Sequence, residues 1–199
     1  MSTQLILKAA DFAARKHVNQ KRKGPNDEPY INHPIEVANF LSDIAGVSDH
    51  ELLMAAILHD TIEDTSATKE ELEEEFGHEV TSLVLEVTDD RTLPKLERKE
   101  EQVRHAPHLS KRARLLKIAD KISNVEDMLE NPPIGWDLKR RRDYLLWADR
   151  VVRQILGENE ALDARFLEAL KAGHIGLDQC EPDGSETDGS PSTQTSPSA

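Results

Sequence analysis

The stretch Ala55-Ala56-Ile57-Leu58-His59-Asp60-Thr61-Ile62-Glu63-Asp64-Thr65 decides how the rest of the chain is read. An apolar helical run delivers an adjacent His-Asp pair at its end, and two more acids follow. Neutral imidazole and carboxylate together suit a borderline or hard divalent cation. If the helix continues, Glu63 lies one turn beyond His59 on the same face. It would then reach an attacking water rather than the ion.

Working outward, two further sites complete a mixed nitrogen and oxygen set. His33 sits in Tyr30-Ile31-Asn32-His33-Pro34, just before a helix start. Asp120 sits in Leu116-Lys117-Ile118-Ala119-Asp120-Lys121, with Asn124 one turn on. A carboxylate among core-facing aliphatics is costly unless it is paired or metal-bound. Each element alone is weak: His-Asp dipeptides are common, helical acids are usually surface residues, and His33 could simply cap a turn. Their joint order in a helical chain carries the argument.

The surrounding pattern is helical almost throughout. Residues 3–18 place Leu5, Ile6, Ala9, Phe12 and Ala13 on one face. Pro34 suits a first helical position. Ser48 with Glu51 predicts a capping box for the apolar run 52–58, and Thr68 with Glu71 repeats the signal, with Gly77 as a stop. Helices are expected over 79–87, 94–105, 110–129, 137–156 and 160–171, Pro132 and Pro133 ending the third of these. No strand signal exceeds a few residues, although the loops around 24–31 have room for one short β-hairpin. The expected class is all-α.

Composition bounds the function. The chain has 199 residues, 37% hydrophobic and 32% charged, which suits one domain with one core. A formal net charge of -13 disfavours non-specific nucleic-acid binding and anionic membrane surfaces. An anionic substrate would therefore need a local basic site. The lone Cys180 excludes an internal disulfide or a thiolate zinc site. No apolar stretch is long enough to span a bilayer, so a cytoplasmic protein is expected. From 181 onward Ser, Thr, Pro, Gly and acids take over, so 1–180 is expected to fold and 181–199 to form a disordered acidic tail.

Several longer segments identify the family. Ala13-Ala14-Arg15-Lys16-His17, Pro29-Tyr30-Ile31-Asn32-His33-Pro34, Leu58-His59-Asp60-Thr61-Ile62-Glu63-Asp64-Thr65, Glu86-Val87-Thr88-Asp89-Asp90, Lys117-Ile118-Ala119-Asp120-Lys121-Ile122-Ser123-Asn124 and Trp136 closely resemble the hydrolase domain of the RelA/SpoT family. The likeness is greatest to its small stand-alone HD-domain members of the metazoan SpoT-homologue type, and it runs over about 8–156. The resemblance implies an HD-domain helical fold. It implies one manganese ion held by His33, His59, Asp60 and Asp120. It implies that Glu63 and Asp64 orient and deprotonate the attacking water, and that Asn124 supports the site. The implied reaction removes the 3′-diphosphate of guanosine 3′,5′-bis(diphosphate), ppGpp, giving GDP and pyrophosphate. Implied substrate contacts are Arg22, Lys23, Tyr30, Lys95, Arg140 and Tyr144. Ser123 is a mild departure, since relatives often carry Tyr or Thr there; it leaves the expected ligands intact.

The residues support this chemistry independently. No Gly-rich phosphate loop is present, so positive side chains must hold the diphosphates. Lys21-Arg22-Lys23 is the first candidate, followed by Lys95 and the run Arg140-Arg141-Arg142 with Tyr144. Arg141 and Arg142 are expected to be solvated surface. Two other readings share the fold: a hydrolase of another nucleotide, such as the 2′-phosphate of NADPH, and a non-catalytic regulatory module. Every expected ligand and both acids are present, which weighs against the second.

Overall fold

Two helices buried over much of their length organise the molecule, and the rest pack around them. In α3 (His50–Leu58) Leu52 and every residue from Met54 to Leu58 are buried. In α8 (Lys111–Glu130) burial extends from Leu116 to Ser123 without a break. Burial on every side places both inside the bundle; α3 meets it with apolar residues, whereas α8 also carries Lys117, Asp120 and Lys121 into the interior. The computed structural model describes residues 2–180. The expected tail, 181–199, lies outside the described residues.

The remaining helices are α1 (Ser2–Lys16), α2 (Asn32–Asp43), α4 (Thr61–Asp64), α5 (Lys69–Phe76), α6 (His78–Val87), α7 (Lys95–His105), α9 (Leu138–Val152) and α10 (Glu160–Asp178), with a 3-10 turn at Ala106–His108. Helices α1, α2 and α6 pack on α3, while α2, α9 and α10 pack on α8. Helix α2 thus touches both central helices, which brings His33 between the His-Asp pair and Asp120. No helix of the described residues is long and apolar enough to cross a membrane.

Local signals hold with instructive shifts. Thr68 accepts a hydrogen bond from the Glu71 N–H, and Gly77 ends α5 at φ 82°. The cap of α3 is Asp49 rather than Ser48, its carboxylate accepting from Glu51 and Leu52. Pro34 is the third residue of α2, not the first; its missing N–H is among those a helix start leaves without a partner. Helix α10 runs seven residues past 171, because Gly173 is a packing position: a Cβ there would lie 2.9 Å from Leu145 Cδ1.

The hairpin shrinks to one antiparallel bridge, Lys21 with Pro29, and no strand occurs among the described residues. Arg22 N–H reaches Glu28 O and Tyr30 N–H reaches Gln20 O, both at 2.9 Å. Pro29 has no N–H to give a ladder, and Asp27 turns the chain at φ 56°. This loop carries Gln20, Arg22 and Tyr30 to the mouth of the site described next.

Candidate metal centre and substrate cavity

The helix carrying His59 does not run on unbroken. Helix α3 stops at Leu58 and α4 begins at Thr61, with His59 and Asp60 between them in right-handed helical conformation. Side chains cover the carbonyls at this break. His59 Nδ1 donates to Ala56 O and Thr61 Oγ1 to Leu58 O, each at 2.7 Å. A neutral imidazole that donates through Nδ1 leaves Nε2 bare. His59 Nε2 is buried and has no hydrogen-bond partner.

His33 is set the same way from another direction. Its Nδ1 lies 2.8 Å from Ser123 Oγ, and that hydroxyl donates to Glu36 Oε2 at 2.5 Å. The one hydroxyl proton goes to Glu36, so Ser123 accepts from His33 Nδ1–H, and His33 Nε2 is also bare. It lies 3.3 Å from Asp120 Oδ1 and 3.7 Å from Asp60 Oδ2. His59 Nε2 lies 3.1 Å from Asp60 Oδ2 and 3.8 Å from Asp120 Oδ1. Ligand atoms of His33, His59 and Asp60 all fall within 4.8 Å of one another.

Buried acceptors converging on one point repel each other unless positive charge sits among them. Burial alone would depress the His59 imidazole, but the Asp60 and Asp120 carboxylates outweigh it and hold it up to about 9, so near neutral pH Nε2 carries a proton until a cation displaces it and leaves the neutral, Nε2-bare ring. Burial would likewise raise both carboxylates; His59 holds Asp60, and Lys121 holds Asp120, below the ordinary range instead. A focus this attractive to a proton is equally suited to a divalent cation. The sulfur-free donors and the orphaned Nε2 of His59 fit such an ion. Neighbours orient the acids: Tyr30 donates its hydroxyl to Asp60 Oδ2 at 2.5 Å, Lys121 donates to Asp120 Oδ2 at 2.8 Å and Asn124 to Asp120 Oδ1 at 2.6 Å.

The next two acids flank this focus. Glu63 Oε2 accepts the Asp89 N–H at 3.1 Å, and Arg91 and Arg98 stand 3.5 and 3.8 Å from its Oε1. Burial pushes its pKa up. Asp64 accepts from Gln20 Nε2 at 2.9 Å and is ion-paired to Arg91 on its other oxygen.

Glu63, Asp64, Arg22, Lys23, Tyr30, Lys95, Asn124, Arg140 and Tyr144 all line one cavity of about 760 Å³, together with Asp60 and Asp120. Their states differ. Arg22 is committed to Asp127, at 2.6 and 3.0 Å, and to Asn124, so its charge is already balanced. Lys21 pairs with Asp27 at 3.0 Å. Lys23, Lys95 and Arg140 have no carboxylate partner within 4 Å among the described residues, and neither does Lys99, which the sequence reading missed. Lys99 Nζ sits 4.4 Å from the Trp147 ring centre and 5.4 Å from that of Tyr144, while Arg140 stacks 4.5 Å from Trp136. Lys99 follows Lys95 by four residues, so one helical face carries both; that spacing was the available signal. Arg91, Arg98 and Lys121 also escaped, because nothing local marks a cation that meets its acid only through the fold. Arg142, expected to be solvated, reaches Leu177 O and Asp178 on α10.

Comparisons agree with this architecture. Residues 9–144 match the HD domain family model. The human guanosine-3′,5′-bis(diphosphate) 3′-pyrophosphohydrolase MESH1 is 53% identical over 166 residues, 83% of this chain and 90% of that protein. The Xenopus tropicalis protein of the same name is 49% identical over 175 residues, covering 88% and 94%. A solved structure described as a metazoan ortholog of SpoT that hydrolyzes ppGpp and plays a role in starvation responses superposes with a TM-score of 0.83 at 43% identity. It covers 87% of this chain and 96% of its own.

The Ser123 hydroxyl is a testable part of this geometry. Ser123→Ala leaves the buried His33 Nδ1–H and Glu36 without their shared partner. It should weaken divalent-cation binding by about ten- to a hundredfold, the usual scale for groups that orient metal-binding histidines. Ser123→Thr, which keeps the hydroxyl, should restore most of the affinity. Calorimetric titration of the metal-free protein decides it, and unchanged affinity in the alanine variant would contradict the assignment.

Proposed function

We propose that this chain, which belongs to the HD domain family and within it to the guanosine-3′,5′-bis(diphosphate) 3′-pyrophosphohydrolases of the MESH1 type, hydrolyses ppGpp to GDP and pyrophosphate with a manganese ion. The observation that carries the reading is the pairing of two opposite charge environments in one cavity. Histidine and carboxylate acceptors converge at one place, suited to a cation. Lys23, Lys95, Lys99 and Arg140 gather without acidic partners around Trp136, Tyr144 and Trp147. In a protein of net charge -13, four cations gathered without acidic partners form a local basic site suited to an anionic ligand. A nucleoside with diphosphates on both ribose positions meets both environments at once. A single phosphate would leave most of the basic cluster unmatched.

His33, His59, Asp60 and Asp120 would hold the ion, which supplies a Lewis acid for the phosphoryl oxygens and a more acidic water. Imidazole ligands favour manganese over magnesium. Asp64 and Glu63 orient the water and accept its proton; burial raises the Glu63 pKa, which makes it a stronger proton acceptor than an exposed glutamate. The water oxygen bonds to the phosphorus attached at O3′, the P–O3′ bond breaks, and the ribose oxygen takes up a proton as it leaves. Trp136 and Tyr144 offer flat apolar faces beside the cations, fitted to a base or ribose. Lys23, Lys95, Lys99 and Arg140 grip the 5′-diphosphate, which takes no part in the bond change.

Competitive turnover of ppGpp, NADPH, GTP and GDP at equal concentration tests the reading. Pyrophosphate and GDP should appear from ppGpp, no pyrophosphate from GTP or GDP, and chelation should stop turnover until manganese is returned. A larger kcat/KM for NADPH, or full activity without metal, would overturn it.

Lys99 provides a separate prediction. Burial first, then the charges of Lys95, Lys121 and Arg140, lower its pKa to about 8. Its ammonium is therefore present below that pH and lost as pH rises through it, so kcat/KM should fall above about pH 8. Lys99→Arg, charged throughout, should flatten that limb. Lys99→Ala should raise KM roughly tenfold with kcat nearly unchanged, as for loss of one charge-assisted contact. An unaltered pH profile in the arginine variant would contradict the role.

A further inference from the structure

His17 sits just after α1, buried to 3% exposure, and does not line the cavity. Its Nδ1 lies 2.7 Å from Gln20 Oε1, and Gln20 Nε2 donates to Asp64 Oδ2 at 2.9 Å. An ionised carboxylate only accepts, so the Gln20 amide must present its nitrogen to Asp64 and its oxygen to His17. His17 must then carry its proton on Nδ1. Burial lowers its pKa, in keeping with a neutral ring. The other nitrogen, Nε2, is buried and has no partner. A histidine kept for packing alone would not leave a polar atom in that state, since an apolar side chain of similar size fills the space without the penalty. The ring also lies against Tyr30, 4.9 Å between centres, and Tyr30 donates to Asp60.

Asp64 has two restraints of different kinds. Arg91 approaches one oxygen from a side chain 54% exposed. Gln20, half-buried at the cavity wall and backed by the buried His17, holds the other oxygen. Exposed ion pairs are easily exchanged for solvent or a substrate phosphate, whereas a chain of hydrogen bonds anchored on a buried ring keeps its direction.

We propose that the buried His17 and the half-buried Gln20 form a hydrogen-bond relay that fixes the Asp64 carboxylate in its working orientation, both acting as positioning residues. The inference rests on the reading of Asp64 as a group that handles the attacking water. Gln20 is itself anchored, since its carbonyl accepts the Tyr30 N–H at 2.9 Å and its own N–H reaches His17 O at 2.8 Å. The relay therefore ties the end of α1 to the acid and, through Tyr30, to the metal focus.

Kinetics on the full chain with manganese and ppGpp tests the relay. His17→Leu and Gln20→Met should each lower kcat by about ten- to a hundredfold, the scale of a misaligned reacting group, with KM and bound metal unchanged. The double variant should be no worse than either single one, because the two act as a unit. In an Asp64→Asn background neither should cause further loss. His17→Asn, whose amide nitrogen can replace Nδ1–H, should recover most of the rate. Losses that multiply, that persist in Asp64→Asn, or that fall on KM or metal content would overturn the relay. A readout free of substrate separates this from the proposed activity: in the wild-type protein with magnesium, imidazole nitrogen NMR should find His17 neutral and protonated on Nδ1. Protonation on Nε2 overturns the relay even if ppGpp is turned over. Inactivity on ppGpp with the proton on Nδ1 sinks the substrate reading alone.

Discussion

Four acceptor atoms from three parts of the chain face one another inside the bundle, and much of the structure serves to keep them there. The Nε2 atoms of His33 and His59 and carboxylate oxygens of Asp60 and Asp120 stand 3.1 to 3.8 Å apart across the imidazole–carboxylate contacts. Such a group gains nothing from hydrophobic packing and is tolerated only around positive charge. Its supports are covalently distant: α2 brings His33, the break between α3 and α4 brings His59 and Asp60, and α8 brings Asp120. The large buried faces of α3 and α8 offset the cost of holding these groups together.

Charge is distributed by the same logic. Lys121 balances Asp120 directly, and Lys117, also buried, donates to Val87 O at 3.1 Å. Arg22 is matched by Asp127 and Arg91 by Asp64, so the cations nearest the acids are already neutralised. Those left unmatched cluster with the aromatic wall instead. The overall negative field repels polyanions at long range, and affinity must arise at contact distance, where salt screening is weaker than between separated surface charges.

The helical class and the His33, His59-Asp60, Asp120 set were legible because each rests on a short-range signal: apolar periodicity, an adjacent pair, an acid among aliphatics. Ser123 shows where that legibility stops. In sequence it is a small substitution beside Asp120; in the fold it meets His33 and Glu36 about 90 positions away and sets which imidazole nitrogen is bare. Arg22 shows a second limit: it lines the cavity as expected, but Asp127, 105 positions on, meets its guanidinium, and nothing local in the sequence marks that pairing. The last helix, expected to end at 171, continues through Gly173, where Leu145 packs closely. The capping shift from Ser48 to Asp49 is smaller: both residues are good caps, and backbone geometry alone chooses between them.

The tautomers and the metal focus stand or fall together, and one measurement reaches both. Crystals soaked in manganese and recorded at its absorption edge should show a single strong anomalous site. It should lie within coordination distance of Nε2 of His33, Nε2 of His59 and one oxygen each of Asp60 and Asp120, with Ser123 and the Ala56 carbonyl still holding the two Nδ1 atoms. An ion bound through either Nδ1, or one held by Glu63 and Asp64 in place of the histidines, would contradict the account at its centre.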